Sequence, residues 1–362
     1  MIHIVYPHAD RPTPPDVIGQ QLAQAVSGLD EVRLHTHHTL GRIRPQVGDV
    51  LIGHAYPCPY STLRWSWRQS GWGRRILLQP FSLDDREHGH LDDLIASCDW
   101  FLAITGDYWW QQLPQTRHAP CLNKIRQLDL GLDRSRFRRI KTDLAPASDR
   151  RWLYIGNDHP GKGLNLLNQL AQALGLCISW AGEARRSSPR AYPHLRHLGH
   201  MDWSTAEAQQ VLAAHDFLIM VGQHDACPTT VIEAMAWGLV PVCRPSTGYD
   251  ASPGVLNLRA PDVVGMAQEM RAIQSLSTDQ LEPVRQAGEK ALETRFRWDL
   301  FASTVKEAVQ TPAPAETQAI APRRPKPLPA PYRSMGWHCR AALARTCLPE
   351  RALQAWKPWG RP

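Results

Sequence analysis

Several kinds of segment are missing from this 362-residue sequence. No two of its eight cysteines are spaced as CxxC, so neither a zinc knuckle nor a thioredoxin-like pair is indicated. No apolar run approaches the roughly 20 residues needed to cross a bilayer, and MIHIVYPHAD predicts a first strand rather than a signal peptide. No DxD pair follows a predicted strand, so no metal site is predicted. These absences favour a cytoplasmic protein with reduced thiols.

Positive charge is concentrated at the end of the chain. The formal net charge is +7, but the segment from Pro322 onward has nine basic residues and one acid. The first 321 residues keep 32 of the 41 basic residues and 33 of the 34 acidic ones. The body is therefore close to neutral, and nucleic acid is not an expected partner of the fold itself. The Pro-rich linker and basic tail are predicted to make a peripheral contact with a membrane or with another protein.

Short apolar runs alternate with helical patterns over the first 310 residues. One series comprises IHIVYP, VRLHTH, DVLIGH, RILLQPF and WFLAIT, and a second comprises RWLYIG, CISWAG, HLRHLG, DFLIMVG and VPVCRP. Because these runs are continuous rather than alternating, they predict parallel strands buried on both faces. The sequence therefore predicts an α/β protein with two doubly wound, Rossmann-like domains facing each other across a cleft. Ligands are expected there, at the carboxyl ends of the strands.

The stretch DACPTTVIEAMAWGLVP places two carboxylates eight residues apart around a predicted helix start. The first amides of a helix beginning near Thr229 have no intrahelical partners, and the helix dipole is positive at this end. Pro228 helps to set the start, and Thr229 and Thr230 can donate to a diphosphate oxygen. Glu233 can accept hydrogen bonds from vicinal hydroxyls one turn in, and Asp225 can reach hydroxyls beyond the phosphates. A buried helix with a polar first turn is the alternative.

The same residues carry a resemblance to a family. HDACPTTVIEAMAWGLVPV resembles the E-x7-E segment of the retaining glycosyltransferases of family 4, nucleotide-sugar enzymes with the GT-B fold. VIEAMAWG followed by VPV is similar to the family's glutamate–Ala-Met-Ala–x-Gly-x-Pro-Val run. The first acid departs from the pattern, because Asp225 is one methylene shorter than Glu. The resemblance implies that Glu233 anchors a ribose and that Asp225 contacts the transferred sugar.

Other segments of the second half resemble the family in the same order. WLYIGNDHPGKGLNLL resembles its G-R-x-x-x-x-K-G loop, with Gly156, Lys162 and Gly163 in register. Asn157 stands where the family has a phosphate-binding Arg, so Lys162 is the cation implied to neutralise the diphosphate. A solvated loop lysine is the alternative. SWAGEA and HLGHM add further donor-binding candidates: Gly182, Glu183, Gly199 and His200. An ordinary strand-end turn is the alternative for the last two.

The first half resembles the family by architecture, and no glycine-rich loop follows its first strand. His54, at the end of DVLIGH, is the candidate for a histidine that contacts the sugar, with His88 and His90 as others. A structural hydrogen-bonding role is the alternative for such a histidine. LRWSWRQSGWGRR mixes arginines with three tryptophans that could lie on lipid headgroups, stack on sugars or bases, or pack beneath the sheet.

These observations predict four parts: an acceptor-side domain over 1–145, a nucleotide-sugar domain over 146–294, a helix over 295–310 that crosses back, and a tail over 311–362. The predicted function is transfer of a sugar from a nucleotide-diphosphate sugar to a hydroxyl of a glycan, lipid or small molecule, with retention of configuration. Asp225, Glu233, Lys162 and His54 are the candidate catalytic residues. The nucleotide sugar is a co-substrate, and no cofactor is implied. The alternatives are a catalytically degenerate relative that binds sugars or a protein, and a nucleic-acid-binding protein.

Overall fold

The computed structural model describes residues 1–7, 13–35, 42–55, 60–82, 91–184, 187–223, 225–312 and 314. The candidate histidines His88 and His90 and the basic tail lie outside these residues. In the part of the chain that is described, no helix is both long enough and apolar enough to span a membrane.

The first domain is built on a six-stranded parallel sheet in the order β2-β1-β3-β4-β5-β6. Five strands correspond to the five predicted runs, and the sixth is a three-residue edge strand without a recognisable pattern. The strands are β1 Ile2–Val5, β2 Val32–His35, β3 Asp49–Gly53, β4 Trp72–Pro80, β5 Trp100–Ile104 and β6 Ile125–Gln127. The helices are α1 Pro14–Val26, α2 Tyr60–Trp67, α3 Asp92–Ser97 and α4 Asp107–Gln112.

The second domain has a parallel sheet in the order β12-β11-β10-β7-β8-β9. This is the dinucleotide-binding order 3-2-1-4-5-6, counted from β7 as the first strand. The strands are β7 Trp152–Ile155, β8 Ile178–Ala181, β9 Leu195–Gly199, β10 Phe217–Met220, β11 Val240–Cys243 and β12 Leu256–Asn257. The helices are α5 Leu164–Leu174, α6 Ala206–Ala213, α7 Thr229–Trp237, α8 Val263–Ser275, α9 Thr278–Thr294 and α10 Trp298–Gln310.

Burial explains why the apolar runs predicted the strands so well. Every residue of β5, β7, β8, β10 and β11 is buried, as expected for strands covered on both faces. Trp152 of β7 stacks on Phe217 of β10 with ring centroids 4.4 Å apart, which joins the two central strands of the second sheet. The two predicted doubly wound sheets are confirmed.

The last helix returns to the first domain. α10 packs along α1, and the backbone carbonyl of Val309 accepts a hydrogen bond from Arg74 of β4. The indole of Trp100 donates to the carbonyl of Thr311 at 3.2 Å. Because Trp100 is the first residue of β5, Thr311 lies at the end of the first sheet opposite to its carboxyl edge.

The two domains touch at the carboxyl ends of β5 and β11. Gly106 lies so close to Gly248 that a Cβ on Gly106 would overlap the Gly248 carbonyl oxygen. The carboxylate of Asp250 accepts from the backbone N–H of Tyr108 at 2.9 Å, which caps α4 across the domain boundary. The indole of Trp109 donates to the carbonyl of Ser246, also at 2.9 Å. These contacts hold the two carboxyl edges face to face.

The tryptophan- and arginine-rich segment is mostly packed. Trp67 is buried and donates to the hydroxyl of Ser97, and Trp72 donates to the carbonyl of Ser66. Trp65 is 53% exposed. Packing beneath the sheet therefore accounts for Trp67, while Trp72 is a partly buried residue of β4 itself.

A chain of buried polar groups crosses the first sheet. His3 lies 3.0 Å from His35 through Nδ1 and Nε2, and its own Nε2 lies 3.2 Å from the carboxylate of Asp49. Burial, together with the charges of His3 and Arg33, lowers the pKa of His35 from 6.5 to about 4. Because the folded pKa is depressed, the stability that neutral His35 contributes is present above pH 6.5 and is lost as the pH falls towards 4.

We therefore expect His35→Gln to flatten the acid side of the stability curve, because glutamine keeps a polar partner for His3 without titrating. Between pH 7 and pH 4.5 the wild-type protein should lose about 2–3 kcal/mol more of its free energy of unfolding than the variant. Urea unfolding at several pH values measures this difference, and parallel curves for the two proteins would contradict it.

Candidate active site

The candidate site lies where the order of the second sheet reverses. β10 and β7 are neighbours, but the chain continues from β7 towards β8 and from β10 towards β11. The connections that follow these two strands therefore lead in opposite directions along the sheet, and the carboxyl edge at this reversal point, called the crevice below, is the usual ligand position in such sheets.

Backbone contacts hold the two loops together. The N–H of Gln223 donates to the carbonyl of Gly161 at 3.0 Å. Gly163 has φ +79° and faces the carbonyl of Val221, which a Cβ at Gly163 would approach to 2.8 Å. A glycine is required there because both the left-handed conformation and the space exclude a side chain. The GKG sequence therefore fixes the loop of Lys162 against the loop of Asp225.

This arrangement brings Lys162 and Asp225 together, 63 residues apart in the chain. Lys162 Nζ lies 2.5 Å from Asp225 Oδ2. The lysine side chain is 27% exposed and that of the aspartate 16% exposed. The pair is thus partly shielded from water but still open to the crevice, where a charge pair is stronger than on a free surface.

Helix α7 starts in this crevice, at the predicted position. Its N-cap is Pro228, whose side chain supplies no capping group, and whose carbonyl accepts from the hydroxyl of Tyr249 at 3.0 Å. Thr229 and Thr230 are half-buried at the tip. Cys227, just before the cap, has φ 49°, the one non-glycine residue of the described chain in the left-handed region. The helix therefore begins from a constrained turn with its first amides towards the loops.

Glu233 lies one turn into α7 and is half-buried. Burial raises its pKa from 4.5 to about 7, and a hydrogen bond with Thr229 opposes the increase. Among the described residues, no ion pair is formed by this carboxyl group. Even partial burial of a carboxyl group without a cation is costly to the fold, which is typical of a group kept for function.

The carboxyl ends of β7, β8 and β9 lie beside these loops. A Cβ on Gly182 would overlap the carbonyl oxygen of Gly156, and a Cβ on Gly156 would lie 2.6 Å from the hydroxyl of Tyr154. The indole of Trp180 donates to the Gly156 carbonyl at 2.8 Å. Gly199 has φ +80°, as in an ordinary strand-end turn. Of the remaining candidates here, Glu183 is half-buried and His200 is exposed.

The side chain of Asn157 forms a hydrogen bond within its own loop. Its side-chain oxygen accepts from the backbone N–H of His159 at 3.1 Å, and the residue is exposed. The imidazole Nδ1 of His159 in turn accepts from the N–H of Gly161 at 3.2 Å. The side chain at the position of the family's arginine therefore adds no charge to the crevice and stabilises the turn instead.

His54 lies at the carboxyl end of β3, in the other domain. It is 5% exposed, and its ring meets that of Tyr6 edge to face with centroids 4.8 Å apart. Its backbone N–H donates to the carbonyl of Val5. The structure thus places His54 at the edge of the first sheet that faces the cleft, separate from the cluster of Lys162, Asp225 and α7.

Sequence reasoning missed three features of this region. It did not pair Lys162 with Asp225, it did not find the Gly106–Gly248 contact, and it gave Asp250 no role. No local pattern signals contacts between loops so far apart in sequence. Within the described residues, no group of three His, Cys, Asp or Glu side chains could hold a metal ion.

Two doubly wound parallel sheets with facing carboxyl edges define the GT-B fold. The structure is similar to sucrose-phosphate synthase from Thermosynechococcus elongatus, with a TM-score of 0.63, 12% identity, and coverage of 84% of this chain and 97% of that one. It is also similar to HepE from Anabaena in complex with UDP and glucose (0.58, 12%, 85% and 98%). A third similar structure is WaaG, a glycosyltransferase of lipopolysaccharide biosynthesis (0.55, 11%, 85% and 99%). No family model and no curated protein matches the sequence.

Proposed function

We propose that the chain is a glycosyltransferase that moves a sugar from a nucleotide-diphosphate sugar to a hydroxyl acceptor, with retention of configuration and without a metal ion. The observation that carries this proposal is Glu233. It is a half-buried acid with a raised pKa, one turn inside a helix whose tip opens at the reversal point of the sheet. The similarity to HepE, which was solved with UDP and glucose, supports the same class of donor.

Each group of the crevice fits a part of such a donor. The tip amides and hydroxyls of Thr229 and Thr230, with the helix dipole, would receive the diphosphate. Glu233 would accept hydrogen bonds from the ribose hydroxyls. Asp225 would face the sugar from the loop after β10, and His54 would approach it from the other domain. Gly156 and Gly182 let the ends of β7 and β8 approach each other, and Gly199, where a Cβ would meet no atom within 4 Å, would leave room for the nucleotide.

Catalysis would then come from alignment and electrostatics rather than from a protein nucleophile. In a retaining transfer of this type, the acceptor hydroxyl attacks the anomeric carbon from the face on which the diphosphate leaves. The leaving diphosphate takes up the hydroxyl proton as its bond to the sugar breaks. The protein's task is to hold donor and acceptor in line and to stabilise the negative charge that grows on the diphosphate. Lys162 and the α7 tip would do this.

A catalytically degenerate relative that binds a sugar or a protein is the second candidate. Two observations favour it: Asn157 brings no charge to the crevice, and the charge of Lys162 is paired with Asp225. The resulting crevice is less cationic than the resemblance implies. Such a protein would keep the fold and would transfer no sugar.

The test is a panel of UDP-, GDP- and ADP-sugars, measured by calorimetry for binding and by release of the nucleoside diphosphate for transfer or hydrolysis. Binding with turnover supports the transferase. Binding without turnover, across a range of glycan, lipid and small-molecule acceptors, favours the degenerate relative. Absence of all nucleotide-sugar binding by a folded protein also favours the degenerate relative and rules out the transferase.

Lys162→Met is expected to weaken donor binding and to lower kcat/KM by about 10- to 100-fold, because it removes the cation that would neutralise the leaving diphosphate. Lys290→Met is the matched control, since Lys290 is an exposed lysine of α9. Steady-state kinetics with the donor selected by the panel measures both variants. Equal kinetics for the two would show that Lys162 has no role in donor binding or transfer.

A further inference from the structure

The ion pair between Lys162 and Asp225 joins the residue proposed to bind the diphosphate of the donor to the residue proposed to bind its sugar. Lys162 belongs to the loop after β7, and Asp225 to the loop after β10. Their nitrogen–oxygen distance of 2.5 Å leaves no room for a ligand atom between them. Lys162 Nζ keeps two further N–H donors for a diphosphate oxygen, but Asp225 already neutralises its charge, so the diphosphate and the carboxylate compete for one cation.

The backbone limits how far the two groups can separate. Gln223 donates to the carbonyl of Gly161, so the residues next to the pair are tied together. A Cβ on Gly222 would lie 3.3 Å from the Cβ of Asp225, which places the aspartate against its own loop. The lysine has a long flexible stem and the aspartate a short one. We therefore expect the lysine head group to move and the carboxylate to stay.

We propose that Asp225, through its ion pair with Lys162, makes the crevice discriminate the intact nucleotide sugar from the free nucleoside diphosphate. The inference rests on the proposed function. In an intact donor, the diphosphate binds Lys162 and the sugar hydroxyls donate hydrogen bonds to the carboxylate of Asp225, which replace its contact with the lysine. A free nucleoside diphosphate also binds Lys162, but it has no sugar hydroxyls for Asp225 and adds its own negative charge beside that carboxylate, which weakens its binding.

The direction in which Asp225→Asn changes the affinity for a nucleoside diphosphate distinguishes this role from two simpler ones. If Asp225 only grips the sugar, Asp225→Asn leaves the affinity for a nucleoside diphosphate unchanged, because that ligand has no sugar. If Asp225 only holds Lys162 in place, the same substitution lowers that affinity. If the ion pair competes with the diphosphate, the substitution raises it.

The experiment measures dissociation constants by calorimetry for wild type, Asp225→Asn, and the control Asp149→Asn, an exposed aspartate of the same domain. The probes are UDP, GDP and ADP, UDP-glucose, GDP-mannose and ADP-glucose, and inorganic pyrophosphate. For the nucleotide that wild type binds, Asp225→Asn should bind the diphosphate and pyrophosphate about 3- to 10-fold more tightly. It should bind the nucleotide sugar no more tightly than wild type, and the control should match wild type throughout.

Thermal unfolding confirms that Asp225→Asn is folded, and Asp225→Ser provides a second, smaller replacement with the same expected result. Unchanged or weaker binding of the diphosphate in both variants would overturn the discrimination role while leaving nucleotide-sugar binding intact. Binding of none of the six nucleotides by folded wild type would overturn the proposed function and this inference together.

Discussion

Replacing Glu233 with glutamine is expected to lower kcat/KM for sugar transfer by about a hundredfold while making the folded protein more stable at pH 8. The loss of activity follows from the change in hydrogen bonding. A carboxylate accepts two charge-assisted hydrogen bonds from vicinal hydroxyls, and an amide offers one neutral acceptor and a donor in their place. Kinetics with the donor selected by the nucleotide-sugar panel measures this loss.

The gain in stability follows from the raised pKa of Glu233. A folded pKa of about 7 against an ordinary 4.5 means that stability is highest when the acid is neutral, below pH 4.5, and is lost as the pH rises to 7. Glutamine does not titrate, so Glu233→Gln should exceed wild type by about 2–3 kcal/mol in unfolding free energy at pH 8 and by far less at pH 5. Urea unfolding at the two pH values measures this difference.

The affinity of wild type for the donor should rise with pH, whereas its stability falls. Ribose hydroxyls donate to the ionised acid, so wild-type affinity should rise between pH 6 and pH 8, and that of Glu233→Gln should stay flat. Glu207→Gln is the control, because Glu207 is exposed in the first turn of α6. A Glu233→Gln protein that keeps full activity, or that is less stable at pH 8, would show that the acid is part of the packing only.

Gly106→Ala is expected to separate the two domains. The backbone of Gly106 has φ −98°, which alanine adopts freely, so the whole effect comes from the clash of the new Cβ with the carbonyl of Gly248. Backbone atoms cannot move aside by changing a rotamer. The contact must therefore open, which removes the cap that Asp250 provides to α4 and the hydrogen bond from Trp109.

The expected results are a fall of about 2–4 kcal/mol in unfolding free energy, a transfer rate at least about tenfold lower, and a larger radius of gyration by solution scattering. Gly28→Ala is the matched control, because a Cβ on Gly28 meets no atom within 4 Å and its φ is not in the left-handed region. Unchanged scattering and activity for Gly106→Ala would show that the cleft does not depend on this contact.

Among the described residues, the sequence predicted the ten strands of four or more residues, including the partly exposed β2 and β9, and missed the two shortest. β5 and β10 were found because both faces of each are covered, which forces a continuous apolar run. β6 and β12 are edge strands of three and two residues, too short to carry a period. Helix α7 was placed at Thr229 because a proline and two threonines mark a helix start.

By itself, the sequence determined that this chain forms two doubly wound sheets and that α7 begins between Asp225 and Glu233, since both follow from local apolar runs and helix-start chemistry. Only the tertiary structure decided that Lys162 binds Asp225, that Asn157 serves its own turn, and that Gly106 meets Gly248. The physical reason is that these contacts join loops from different strands. The position of a loop depends on how the sheets pack, and no short pattern of residues encodes that.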